Sequence, residues 1–286
     1  MSGCKYKECC SGSSEKPSSI IIPGTDDHNT PWKFYNHLIA GIPEGIQVKD
    51  YCFGSHWSYL DSECGMGVSF STTGGARTRN YTSDLRGLEL RDVAQLSKSW
   101  NFQEATIGIS ALNAWYNQPD KIEELGAVYD KRGIDEASGK VNKSDIFEVY
   151  RDRVQGKKVV IVGHFPHVDR VAEIADTIVL ERNCGDPLDT PDPACEYVVP
   201  SADFFFMTGV TLINKTAPRL LTLAKNAMTI LTGPSAIASP FLYKWGVDVI
   251  AGSVVEDPEK TCVMVKQGCG MLFDGGIKMF RLEKKE

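Results

Sequence analysis

Residues able to do chemistry gather in five short loops, each following directly on a run that reads as a β-strand. They are Gly163-His164-Phe165-Pro166, Glu181-Arg182-Asn183-Cys184-Gly185, the stretch Thr208 to Thr216, Thr232-Gly233-Pro234-Ser235, and Gly252-Ser253. Glycine at a strand exit lets a ligand approach the main chain, and a following helix presents free N–H groups to an anion. Gly163, Gly209, Gly233 and Pro234 supply the backbone of such a site; Thr208, Thr211, Asn214 and Ser235 add neutral donors and acceptors. Taken singly, each loop also reads as ordinary turn and cap chemistry. Their coincidence at successive strand exits points to a small-molecule ligand.

His164 can ligate a metal or carry a proton. His167 follows three residues later, but Pro166 lies between them at the expected helix start. A packing or capping histidine is the plainer reading. Cys184 is a soft donor on the second loop, which makes His164 and Cys184 the candidate metal ligands. Glu181 ends the second strand, where an acidic residue often holds a ribose hydroxyl; it reads equally as an exposed strand-end carboxylate. The run GHFPHV lacks the G-x-G-x-x-G fingerprint whose second glycine admits a pyrophosphate, which disfavours NAD. No G-x-S-x-G elbow is present, and no residue is assigned as acid, base or nucleophile. The cofactor is unassigned, with a transition metal or an organic metal chelate as the candidates.

The elements that must position these loops form two groups. Strands at Val159–Val162, Thr177–Leu180, Asp203–Met207, Met228–Leu231 and Asp248–Ala251 alternate with helical pattern at 166–175 and 217–226, and GGIKMFRLE adds an edge strand. This alternation predicts a doubly wound parallel sheet with helices on both faces, whose ligands lie beyond the strand carboxyl ends. Upstream, Thr30-Pro31 is a helix-start signal for WKFYNHLIAGI. IQVKDYCFG and MGVSFS read as strands and LELRDVAQLSKS as a helix. Asn101 with Glu104 has the form of a capping box opening a helix through Trp115. Asn113 within GISALNAW is costly to bury unless bonded, so it either braces a loop or faces a cleft. Arg77 and Arg79, in the loop TTGGARTRN, either fold over the second domain or, the plainer reading, face solvent.

The expected organisation is a flexible tail over 1–30, a small α+β domain over 31–118, a linker and connecting helix over 119–156, and the parallel-sheet domain over 157–286. Hydrophobic residues make up 42% of the 286 positions, enough for a full core. A net charge of −6 argues against a nucleic-acid partner. No apolar run approaches the roughly 18–20 residues of a membrane span, so no membrane insertion is expected. The polar start MSGCKYKECC lacks a signal-peptide core, and a cytoplasmic location is expected. Nine cysteines include no C-x2-C pair. Cys4, Cys9 and Cys10 match no zinc spacing, and Cys184, Cys195, Cys262 and Cys269 read as buried or half-buried thiols. His28, His37 and His56 receive no role.

The runs GISALNA, VVIVGHFP, ADFFFMTGVTLINKT and LTGPSA together resemble a family catalogued as a domain of unknown function and proposed to act in heavy-metal chelation. The resemblance spans nearly the whole chain after Pro31. It implies an amino-terminal domain similar to that of enolases, a Rossmann-like carboxyl-terminal domain, and a site between them. Carried onto this sequence, the motif positions are Asn113, Gly163, His164, Thr208, Gly209, Thr211, Asn214, Gly233, Pro234 and Ser235; Phe165 and Glu181 flank them. The function implied is a binding protein of heavy-metal homeostasis that holds a small molecule or metal chelate in the interdomain cleft. The alternative is an enzyme acting on a nucleoside-like, pterin-like or phosphorylated small molecule. The partner expected is thus a small-molecule ligand, and a homo-oligomer is compatible with all of this.

Overall fold

Phe34, Tyr35, Leu38 and Ile39 share one face of helix α1 (Trp32–Ala40) and are buried on it, the 3.6-residue period expected of a helix laid on a core. The structure is a computed structural model and describes residues 20–25, 31–130, 132–134, 141–143, 145–273 and 275–285. Thr30, His28 and the cysteines Cys4, Cys9 and Cys10 lie outside the described residues. Ile20 and Ile22, in the stretch expected to be loose, are buried in the core.

Strands β1 (Val48–Cys52), β2 (Trp57–Ser62) and β3 (Gly65–Phe70) form an antiparallel sheet in that order. Helix α2 (Leu90–Ala94) runs into a 3-10 turn at Gln95–Lys98. It is followed by α3 (Phe102–Tyr116), which is buried over nearly its whole length. The Asn101 side chain caps α3 by accepting from the Glu104 N–H at 3.2 Å. A Cβ added at Gly67 would lie 2.2 Å from the Ser110 carbonyl oxygen, so glycine is what lets β3 lie directly on α3.

Helix α4 (Pro119–Glu124), strand β4 (Val128–Tyr129), the ribbon β5 (Arg132–Ile134) with β6 (Val141–Lys143), and α5 (Ile146–Val154) lead into the second half. There follow β7 (Lys158–Val162), α6 (Val168–Ala172), β8 (Asp176–Glu181), β9 (Asp189–Pro191) and α7 (Cys195–Val198). The chain continues through β10 (Phe204–Thr208), α8 (Val210–Ile213), α9 (Ala217–Leu223), β11 (Met228–Thr232), β12 (Val249–Val255), α10 (Pro258–Lys266) and β13 (Ile277–Glu283). The large sheet has the order β4-β13-β12-β11-β10-β7-β8-β9. The strands from β7 to β12 are parallel, while β13 and β4 add an antiparallel edge. From β7 the chain builds outward through β8 and β9, then returns to the far side of β7 for β10, β11 and β12. This is the strand order of doubly wound nucleotide-binding folds, and it places the topological switch between β7 and β10.

Both faces of the sheet are covered. Phe204 and Phe206 join Phe147, Tyr150 and Val154 of α5 and Val168 and Val171 of α6 in one core. Phe205 and Met207, pointing the other way, belong to a core that also contains Phe34, Leu38, Leu60 and Ile107 of the amino-terminal elements. The mixed α/β class matches the sequence pattern; GGIKMFRLE forms strand β13 as expected but not the sheet's edge, because β4 pairs on its outer side. Strands β2, β4, β5, β6 and β9 were not anticipated, β4 joining the large sheet from the stretch expected to be a linker, and the helix expected at 166–175 forms only over Val168–Ala172. Gly252 and Ser253 do not form a strand-exit loop. They lie inside β12, paired with Phe280 and Met279 of β13. Among the described residues no helix is long and apolar enough to cross a membrane.

Candidate functional site

The exits of β7 and β10 abut at the topological switch. Gly163 leaves β7 with φ +96°, a conformation that favours glycine, and a Cβ there would stand 3.1 Å from Thr208 Cγ2 and 3.7 Å from the Phe165 ring. Thr208 itself is half-buried. Its carbonyl accepts from the Thr211 hydroxyl at 2.7 Å, and its Oγ1 accepts from the Val210 N–H at 3.3 Å. Asn214 Oδ1 accepts from the N–H and hydroxyl of Thr216 at 3.1 and 2.7 Å. Thr211 and Asn214 therefore fix the shape of the loop after β10 rather than lining a cavity.

His164 stands beside this junction in a bonded frame. Its Nδ1 is 2.7 Å from Asp189 Oδ1, and its N–H donates to Glu181 Oε2 at 3.0 Å. The Asp189 side chain is only 3% exposed, and its second oxygen accepts from the N–H groups of Gly185 and Asp186 at 2.9 Å each. Those backbone donors, then His164, hold the Asp189 carboxyl below its usual range. The bond to Asp189 in turn raises the His164 pKa. Glu181 Oε1 accepts from the N–H groups of Arg182 and Asn183, so its carboxylate is engaged by three backbone donors and braces the loop. Cys184, expected to be at least partly buried, is exposed, and its thiol donates to the Glu181 carbonyl at 3.6 Å. Cys195, Cys262 and Cys269 are half-buried free thiols.

On the other side of the switch, the loop after β11 is clamped to the amino-terminal elements. The Asn113 amide donates to the carbonyls of Val68 and Pro234 at 2.9 and 3.2 Å, which makes it a brace, and its Oδ1 has no partner. Asn117, one turn further along, donates to the carbonyls of Ala236 and Ser253 at 2.9 and 3.0 Å and accepts from the Ala238 N–H at 2.8 Å. The Ser235 hydroxyl accepts from the Phe70 N–H at 2.9 Å. A Cβ at Gly209 would fall 2.6 Å from the Ala236 nitrogen, so this glycine serves chain packing; Gly233, at φ +103°, faces open space.

The segment from Ser99 into the first turn of α3 closes the same seam. Lys215, at φ +68°, is buried and donates through Nζ to the Ile213 carbonyl at 2.7 Å and to the Ser99 carbonyl. Burial pushes its amine down to about 7, against the pull of Glu104. The buried Glu104 carboxylate accepts from the N–H groups of Asn80 and Tyr81, the Asn80 amide and the Ser99 hydroxyl. Glu104 thus organises the preceding loop instead of reaching back to Asn101 as in a capping box. Arg79 is turned to Gln103 and the Phe53 ring.

Of the residues singled out from sequence, Gly163, His164, Phe165, Glu181 and Thr208 come together at the β7, β8 and β10 exits, and Gly233 and Pro234 are half-buried on the adjoining turn. Asn113, Thr211 and Ser235 are buried in braces. Asp189 and Asn117 were missed: one opens the short Pro/Asp-rich strand β9, the other is the C-cap of α3. Among the described residues no group of three or more His, Cys, Asp or Glu side chains could hold a metal ion. A groove of about 1080 Å³ lies at the opposite, amino-terminal edge of the strands, lined by Arg153, Lys225, Lys244, Trp245, Lys284 and Lys285. Lys244 there sits in the last turn of a 3-10 helix, where lysine complements the helix dipole.

Comparison with known proteins agrees with this architecture. The family model DUF364, described as "Putative heavy-metal chelation", matches residues 145–280, and DUF4213, with the same description, matches residues 35–116. An uncharacterized protein of Methanocaldococcus jannaschii is 28% identical over 86% of this chain and 94% of its own length. A crystal structure of a DUF364 protein of unknown function from Desulfitobacterium hafniense is 32% identical, with a TM-score of 0.78 over 88% of this chain and 98% of its own. A second, from Pyrococcus horikoshii, shares the fold at 23% identity, with a TM-score of 0.69 over 88% of this chain and 97% of its own. The chain carries both halves that these comparisons match, and it belongs to the DUF364 family.

Proposed function

We propose that the protein binds a small polar organic molecule, or a metal chelate of one, in the crevice at the carboxyl ends of β7 and β10, and serves in heavy-metal homeostasis. The observation that carries this reading is the abutment of Gly163 and Thr208 at the topological switch, with His164 framed beside it. In open α/β sheets that position is where ligands lie. The half of the crevice toward β11 is roofed by the amino-terminal elements through Asn113 and Ser235, in keeping with a two-domain division near residues 118 and 157 and a site between the domains. Threonine, glycine and one imidazole favour a polar organic guest over a bare soft ion. The engagement of Glu181 with three backbone N–H groups weighs against a nucleoside held by its ribose.

Native mass spectrometry of untagged protein, purified from its own host without oxygen, tests the reading. A co-purified organic molecule near one equivalent is expected, with or without metal. Gly233→Asn, which adds a side chain where glycine meets open space and whose residue type tolerates positive φ, should fold and lose that molecule. Wild-type protein that carries no guest, or a variant that retains it fully, overturns the assignment.

A further inference from the structure

We propose that His164 presents Nε2 as the chain's single donor to a metal ion that arrives already held by an organic chelator. This deepens the reading above and rests on it. Asp189 is nearly sealed from solvent, and its two oxygens are engaged by His164 Nδ1 and by two backbone N–H groups. A carboxylate in that setting accepts from Nδ1–H, which makes Nε2 the nitrogen with the lone pair. No bond to Nε2 occurs among the described residues, and the His164 side chain is 34% exposed at the crevice rim. The pairing is that of a metal-ligating histidine whose second nitrogen is fixed by a carboxylate.

What is missing around His164 is as informative among the described residues. A bare transition ion needs three or four protein donors. Glu181 is engaged by backbone, Asp189 by His164 and its own loop, and the Cys184 thiol by the Glu181 carbonyl, and among the described residues no group of three His, Cys, Asp or Glu side chains completes a set. Capture of a free ion is therefore not what this arrangement supports. An ion whose other positions are filled by an organic ligand needs one imidazole and a neutral polar surface for the organic part. Thr208, Gly163 and Gly233 provide that surface.

Nickel(II) nitrilotriacetate, which leaves coordination positions open, is the probe, with Ni²⁺ alone as comparison and untagged full-length protein throughout. Calorimetry gives affinity, and paramagnetic broadening of histidine ring signals reports which ring binds. The expected result is one equivalent of chelate with the His164 ring broadened first. His164→Ala should weaken binding at least tenfold. Asp189→Asn should weaken it about 10- to 100-fold, the usual effect of removing a ligand's supporting partner. His167→Asn, a nearby exposed imidazole, should change nothing. His164→Ala that binds like wild type, broadening spread evenly over His37, His56 and His167, or Ni²⁺ alone binding at His164 as tightly as the chelate overturns the proposal. The two readings fail separately. If Gly233→Asn releases the co-purified molecule while His164→Ala keeps both molecule and metal, the crevice assignment stands and the imidazole assignment falls.

Discussion

The Asn117 amide donates to the carbonyl of Ser253 at 3.0 Å, joining the end of α3 to the middle of β12 across 136 positions of sequence. The same side chain serves Ala236 and Ala238, so one buried residue satisfies three main-chain groups, one in β12 and two in the turn after β11. Together with Asn113 and Ser235 it sets how the amino-terminal elements sit over the strand exits.

Removing that clamp leaves two carbonyls and one N–H buried without partners. Each orphaned group costs about 1–3 kcal/mol. Asn117→Ala should therefore lower unfolding stability by about 3 kcal/mol or more, read from the urea midpoint. A loss under about 1 kcal/mol would mean that water replaces the amide and that the clamp is not structural.

Lys215 makes stability depend on alkaline pH. Its folded pKa of about 7 lies below the ordinary lysine value of 10.5, so between these limits the unfolded chain binds a proton that the folded chain does not. The group's contribution is complete above the unfolded value and is lost as pH falls through 7. Stability should rise from pH 7 toward 10, by at most about 1.4 kcal/mol per pH unit from this group. Lys215→Met keeps the same backbone strain and removes the charge. Its denaturation midpoint relative to wild type should be highest at pH 6 and decline by pH 9. A difference independent of pH would show that the amine stays charged in the fold.

Gly209 and Gly233 read alike in sequence but should respond differently to alanine. At Gly209 the methyl meets backbone atoms at 2.6 Å, which cannot yield without separating β10 from the next turn. At Gly233 the only penalty is positive φ, about 1–2 kcal/mol. Gly233→Ala should stay soluble with a modest fall in melting temperature, while Gly209→Ala should melt far lower or fail to fold. Equal effects would contradict the packing role given to Gly209.

The large sheet was legible because buried parallel strands are continuous apolar runs, as in VVIV and DFFFM. Strand β9 was not, since Asp-Thr-Pro carries no apolar signal and pairs only at the sheet's edge. Asp189 was hidden with it: nothing local marks a carboxylate whose meaning comes from a histidine 25 residues earlier. Of the five strand exits read as neighbours, those of β7, β8 and β10 come together and Gly252-Ser253 is no exit at all; their polar residues were read by type alone. Thr211, Asn113 and Ser235 have the right chemistry for a ligand and use it on the main chain instead. Ser253 was misplaced because glycine suggested a turn, while its neighbour Gly252 is required by the Phe280 ring, which a Cβ would meet at 2.7 Å.

The core that Phe205 and Met207 share with Phe34 and Leu38, reinforced by the Tyr35 hydroxyl on the Leu212 carbonyl at 2.8 Å, has a consequence for recognition. A clamshell motion would have to tear hydrocarbon from hydrocarbon, so the amino-terminal elements stay docked on the large sheet. For the proposed crevice this means recognition by shape matching rather than by closure around the guest.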